Sequence, residues 1–222
     1  MSLPEILGVA IAGLILGLGA VHWASGRRRQ AARAVYFSAV EGLFDRAVVR
    51  VQPSGFARMT GHWGAHEFDV QAVPDTLTFR KLPALWVMIT LPEPLPATAT
   101  LDIMARPSGG EPFSHFSSLP QSLERPSFLP EGTALRSDDA AGLKVDYLAA
   151  HAPLFDDPRV KELIISPKGL RIVLLAEEAE RGRYLLFRDA EMGLEPLKAE
   201  RVSGLIETIL ALRADIFASA GA

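Results

Sequence analysis

The sequence contains no cysteine. That absence excludes disulfide staples, thiolate zinc sites and thiol nucleophiles together, and it suits a cytoplasmic setting. The compact motifs of common chemistry are missing too. There is no Gly-x-Ser-x-Gly elbow, phosphate-binding loop, dinucleotide fingerprint or His-Glu-x-x-His pair. Net charge is small, −3 over 222 residues. No basic stripe runs along the body of the chain, so nucleic acid is not an expected partner. What remains is 49% apolar and 22% charged, the balance of a chain that folds around a core.

Charge is also absent from one long stretch. From Ile6 to Trp23 no Asp, Glu, Lys or Arg occurs. At ~1.5 Å rise per residue the run covers roughly 27 Å as a helix, close to the ~30 Å hydrocarbon core of a bilayer. In lipid a lone segment must satisfy its own backbone amides, so a helix is the only solution. Trp23 sits where an interfacial anchor belongs. Arg27, Arg28, Arg29 and Arg33 follow it, whereas the N-terminal flank carries only Glu5 and the amine. The positive-inside bias then predicts a single-pass protein of the inner (cytoplasmic) membrane, with its N-terminus outside and its C-terminal domain in the cytoplasm. A cleaved secretory signal is the rival reading. It lacks a basic n-region, its apolar run is too long, and Ala24-Ser25-Gly26 is a poor cleavage site with three arginines behind it.

Small residues recur along this span. Gly8 with Ala12, and Gly13 with Gly17, form small-xxx-small pairs that let a second helix approach closely. Glycine is also simply frequent in membrane helices, so both origins stay open. Beyond the span, residues 27–50 hold six arginines against Glu41 and Asp45, while residues 51–222 hold 17 basic and 23 acidic residues. A basic collar of this kind suits anionic lipid headgroups, at about 1 kcal/mol per arginine close to the surface.

The chain divides into five stretches: an anchor over 1–26, a juxtamembrane amphipathic helix over 27–52, an antiparallel β lobe over 53–106, a Pro-rich irregular connection over 107–136, and an α+β lobe over 137–222. The neck helix is expected from apolar recurrence at Val35-Tyr36, Val40, Leu43-Phe44 and Ala47-Val48. It packs either on its own domain or flat on the bilayer. In the β lobe, Ala57–Trp63 and His66–Val73 read as a hairpin around Gly64-Ala65. Pro74-Asp75 is expected to turn the chain into Leu77-Thr78-Phe79; Leu85–Leu91 and Ala99–Ala105 extend a meander of four or five strands. Residues 92–130 hold eight of the 16 prolines yet also Phe113, Phe116, Leu119 and Phe128. Such a segment drapes over its own domain or docks on a partner. In the last stretch, Ser137-Asp138-Asp139 is expected to cap a helix over 140–150. Leu163–Ile165 and Leu170–Ala176 form a hairpin across Ser166-Pro167-Lys168-Gly169, Arg183–Arg188 is a third strand, and a long helix closes the α+β fold.

Part of this pattern resembles a known group. The run Leu135-Arg136-Ser137-Asp138-Asp139, then Leu163-Ile164-Ile165, then Lys168-Gly169-Leu170-Arg171-Ile172 and a closing helix is similar to uncharacterised bacterial single-pass membrane proteins. In those a short membrane segment precedes a soluble α+β domain of unknown function. The resemblance covers about residues 55–215 and implies an architecture, with no catalytic motif.

Chemistry has few candidates. His62 and His66 flank a hairpin turn beside Glu67 and Asp69, and two facing histidines could seed a metal site. Polar residues on a solvated hairpin face are the plainer reading, and no cofactor is expected. Asp138-Asp139 and Asp156-Asp157 mimic paired catalytic carboxylates but stand where helix caps belong. The expectation is therefore a non-catalytic accessory subunit. Its helix would touch other membrane protein subunits, and its domain would stabilise the cytoplasmic face of a larger complex, with a respiratory or photosynthetic assembly as the expected setting. The alternative is a membrane-tethered binding module for a lipid or small ligand.

Overall fold

The computed structural model describes residues 2–76, 82–141, 143–187 and 190–221. Helix α1 (Leu3–Ala34) begins with a capping box in which the Ser2 amide donates to Glu5 Oε2 at 2.7 Å, and Pro4 stands in its first turn. Not one of its 32 residues is buried. Among the described residues α1 is the only helix long and apolar enough to cross a membrane.

The neck differs from a helix running to residue 52. After α1 the chain turns, makes the single turn α2 (Ser38–Glu41) and then becomes strand β1 (Asp45–Val51). Val48, Val49 and Val51 are β-branched and pair with the next strand, and Arg46 at φ 54° breaks any helical path. Of the expected apolar set Tyr36, Val40 and Phe44 are buried, as is Phe37, whereas Val35 and Val48 are exposed. Between the two expected resting places, the neck packs on its own domain.

Nine strands follow one another into a single antiparallel sheet. Besides β1 these are β2 (Ala57–Trp63), β3 (His66–Asp75), β4 (Ala84–Leu91), β5 (Leu101–Ala105), β6 (Gln121–Leu123), β7 (Thr133–Ser137), β8 (Val160–Ser166) and β9 (Gly169–Glu178), in the order β1-β2-β3-β4-β9-β8-β5-β7-β6. The α+β class is as expected, but the two lobes share this one sheet. The β8–β9 hairpin inserts between β4 and β5, so the meander stops at β4. Residues 92–100, with Pro92, Pro94 and Pro96, carry the chain past the hairpin tip, where the Leu95 amide donates to the Pro167 carbonyl at 3.2 Å. At that tip Gly169 has φ 141°, and a Cβ there would collide with the Leu91 carbonyl oxygen.

Three further local expectations are corrected. Pro74 and Asp75 do not turn; they pair with Leu85 and Ala84 inside β3 and β4. Leu77-Thr78-Phe79 lies outside the described residues. The helix over 140–150 is replaced by a 3-10 helical segment, Asp146–Asp156, which buries Leu148 and Phe155 and contains Pro153. The strand expected over Arg183–Arg188 is helix α3 (Arg181–Phe187), whose first amides, Gly182 and Arg183, donate to the Glu180 carboxylate at 3.1 Å.

The sheet separates two different environments. One face carries Val87, Ile89, Leu101, Ile103, Leu163, Ile165, Leu170 and Ile172, all buried. Over them lies the final helix α4 (Ala199–Ala220), which contributes Val202, Ile206, Ile209, Leu212 and Ile216 at the 3- and 4-residue spacing of one helical face. The other face is covered by the Pro-rich segment, which drapes on its own chain: Phe113 is buried with its ring centroid 4.9 Å from that of Trp86, and Phe116 is buried as well.

Candidate functional site

Two regions carry features that core packing does not require: the neck joining anchor to sheet, and a polar row beneath the Pro-rich strap.

At the neck, α1 runs unbroken from the apolar span into the body. The Arg27 guanidinium lies 4.9 Å from the Trp23 ring centroid. One turn beyond Arg29, Arg33 stacks 4.8 Å from the Phe56 ring centroid and donates through Nε to the Met192 carbonyl at 3.2 Å. Gly193, at φ 71°, allows this approach, since a Cβ would strike the Phe56 ring. The Leu197 amide donates to the Tyr36 carbonyl at 2.9 Å, and the Tyr36 hydroxyl bonds Glu177 on β9. Burial, reinforced by that carboxylate, pushes the Tyr36 hydroxyl far above its ordinary range and keeps it a neutral donor. Glu177 Oε2 also accepts from the Gly193 amide at 2.8 Å. Helix, strand and the 191–197 segment are thus locked by contacts of four kinds.

Arg28 and Arg29, with Ser25, Ala32, Glu191 and Leu194, border a cavity of about 340 Å³ beside the helix. Gly8, Ala12, Gly13 and Gly17 all stand clear of the body, and nothing lies within 4 Å of a Cβ built on any of the three glycines.

Beneath the strap, strand register sets a mostly polar row across the sheet: Thr90, Arg171, Asp102, Arg136 and Ser122, with Ile164 between Arg171 and Asp102, lie side by side on five adjacent strands and the edge. Glu162 stands diagonally from Asp102, and both carboxyls are about 1% exposed or less. Ser114 on the strap donates to Glu162. Burial pushes the Asp102 carboxyl up to about 8, with Glu162 adding to the rise and Arg171 opposing it. Burial likewise raises Glu162 to about 7, against the pull of Ser114 and Arg171. The two act as one pair, in which protonated Asp102 donates to the Glu162 carboxylate near neutral pH. Asp102 Oδ1, Glu162 Oε2 and Arg136 Nε are buried and have no hydrogen-bond partner among the described residues. A cavity of about 550 Å³ opens beside Asp102, Arg171, Thr90, His115 and Lys168. Sequence reading missed this site because its signal is register, which brings Asp102 and Glu162 together from strands about 60 residues apart; Asp102 in the apolar β5 and Lys161-Glu162 in the otherwise apolar β8 were the only hints.

The strap is clamped at one end. Lys161 Nζ lies 3.0 Å from Glu111 Oε1 and donates to the Arg106 carbonyl at 2.6 Å. Although burial pushes Glu111 up, hydrogen bonds from Ser108 and the Lys161 ammonium outweigh it and hold the carboxyl down at about 2.

The sequence-predicted chemistry lies elsewhere. His62 pairs with Glu67 and Trp63 with His66, so the two histidines point to opposite faces of the sheet. His66 Nδ1 meets Glu93 Oε1 at 2.7 Å, and Glu93 Oε2 meets Arg213 Nε at 3.0 Å, a chain of polar contacts tying β3 to α4. No group of three metal-ligating side chains occurs among the described residues. Asp138 Oδ1 accepts from the Thr100 amide at 2.7 Å, Asp139 Oδ1 from Ala141 at 2.9 Å, and Asp157 Oδ1 from Arg159 at 2.8 Å. The Asp139 and Asp157 contacts cap turns and that of Asp138 ties it to the start of β5; none caps a helix. No protein-family model matches the chain, and neither a curated protein nor a solved structure matches it.

Proposed function

We propose that this chain is a non-catalytic accessory subunit, anchored by α1, that holds its sheet domain rigidly against the cytoplasmic face of a larger membrane protein complex. One observation supports this most: α1 buries none of its residues in its own chain, yet it enters the body as an unbroken, pinned helix. A tether that merely localises a domain needs no such rigid join. In the proposal, the small-residue stripe of Gly8, Ala12, Gly13 and Gly17 meets helices of partner subunits, Trp23 marks the membrane boundary, and Arg27, Arg28, Arg29 and Arg33 set depth against anionic headgroups.

Purification of the tagged chain from its native membrane in mild detergent tests the reading. Stoichiometric membrane subunits should accompany it. Replacing Gly13→Leu and Gly17→Leu together should remove them while leaving the chain in the membrane fraction. Unchanged co-purification would reject the helix face as the contact.

A second reading, a tethered module for a small polar ligand, draws on the cavity beside Asp102, whose Oδ1 lacks a partner. It expects the purified chain to be monomeric and to carry a bound small molecule.

A further inference from the structure

We propose that helix α3 is a second membrane contact, lying in the headgroup layer beside the point where α1 leaves the bilayer; this rests on the reading that α1 crosses one.

The depth follows from α1. If the hydrocarbon ends at Trp23, Ser25 to Arg28 lie roughly 3–8 Å beyond it at ~1.5 Å per residue, within the interfacial layer of about 5–8 Å on each side of the core, and Arg29 lies at its edge. Leu194 and Glu191 border the same cavity as Ser25, Arg28 and Arg29, so the 191–194 segment sits at that depth. Arg183 on α3 reaches Glu191 with Nη2 2.7 Å from Oε1. Helix α3 is therefore one ion pair away from the arginine collar.

Its side chains suit the place. Leu185 is 56% exposed and Leu186 78%, on a helix in which only Tyr184 is half-buried among the described side chains. Away from α1, they are the most exposed leucines among the described residues, and Leu194, 41% exposed, continues the patch toward the collar. Water-facing leucines in succession are otherwise unusual on a soluble surface. Arg181 and Arg183 flank them, the pairing of apolar and basic groups that an anionic interface receives. The opposite end of the sheet lies far away: β9 runs from Glu177 at the neck to Gly169 at the hairpin tip, roughly 25–30 Å at ~3.3 Å per residue.

The absence of native cysteine makes the test direct. Leu14→Cys, Leu186→Cys and Lys168→Cys, each in the full chain, would carry an environment-sensitive fluorophore in phosphatidylglycerol–phosphatidylethanolamine vesicles containing lipids brominated at shallow or deep acyl positions. Leu186 and Lys168 are exposed, so neither change removes core packing. The label at 14 should be quenched by deep bromines, that at 186 by shallow ones, and that at 168 by neither. Quenching at 14 without quenching at 186 overturns the α3 contact and leaves the anchor standing. No quenching at 14 overturns the anchor itself, and quenching at 168 overturns the orientation on which α3 was placed.

Discussion

Asp102 and Glu162 are buried within reach of each other, and this places a titration inside the fold. Both carboxyls are raised, so the folded state prefers the protonated pair, while the unfolded chain ionises near pH 4. Stability from this pair is complete below about pH 4 and is lost as pH rises through about 7 and 8. Thermal unfolding in detergent should therefore shift downward between pH 5 and pH 8. Asp102→Asn keeps a donor toward Glu162 but removes one of the two charges, and should flatten that slope. An unaltered slope in this variant would mean that another group controls it. Glu111 does not interfere, because its depressed carboxyl loses its contribution only as pH falls below about 4.5 toward 2. At the hairpin tip, Gly169→Ala would set a methyl against the Leu91 carbonyl and force φ away from 141°. A loss of several kcal/mol is expected in a urea titration, at the upper end of single substitutions (~4 kcal/mol).

Among elements, α4 shows what periodicity can and cannot say. Its apolar face was legible in full: Val202, Ile206, Ile209, Leu212 and Ile216 are buried, with Leu205 half-buried and Phe217 43% exposed at the fringe. Ile209→Ala should cost ~2–5 kcal/mol in the same titration, since its neighbours across the sheet leave little room to collapse. The hairpins β2–β3 and β8–β9 were legible too, because turn chemistry and alternation coincide there. The errors fell where one signal was read without its rival. Residues 45–51 carry valines whose spacing fits a helix, but they form an edge strand because β2 offers a partner that a lone sequence window does not reveal. Arg183–Phe187 has the leucine and aromatic content of a strand, yet it joins neither edge of the sheet, and Glu180 caps a helix instead. The insertion of β8–β9 between β4 and β5 was beyond local reading, as was the polar row it builds. Both depend on pairing across more than 60 residues, which no spacing rule records.

For the whole molecule, the sheet and neck make one body out of stretches that composition had divided. On the proposed topology, a protease added to sealed spheroplasts should leave that body intact, while the same protease added to inverted vesicles should degrade it. Digestion from outside would reverse the orientation derived from the arginine collar. The neck carries the larger consequence. Arg33, Tyr36 and Glu177 leave no swivel between the apolar helix and β9. Shaft and blade therefore turn together: on the proposed reading, a partner subunit that grips the shaft would also choose the compass heading of the blade.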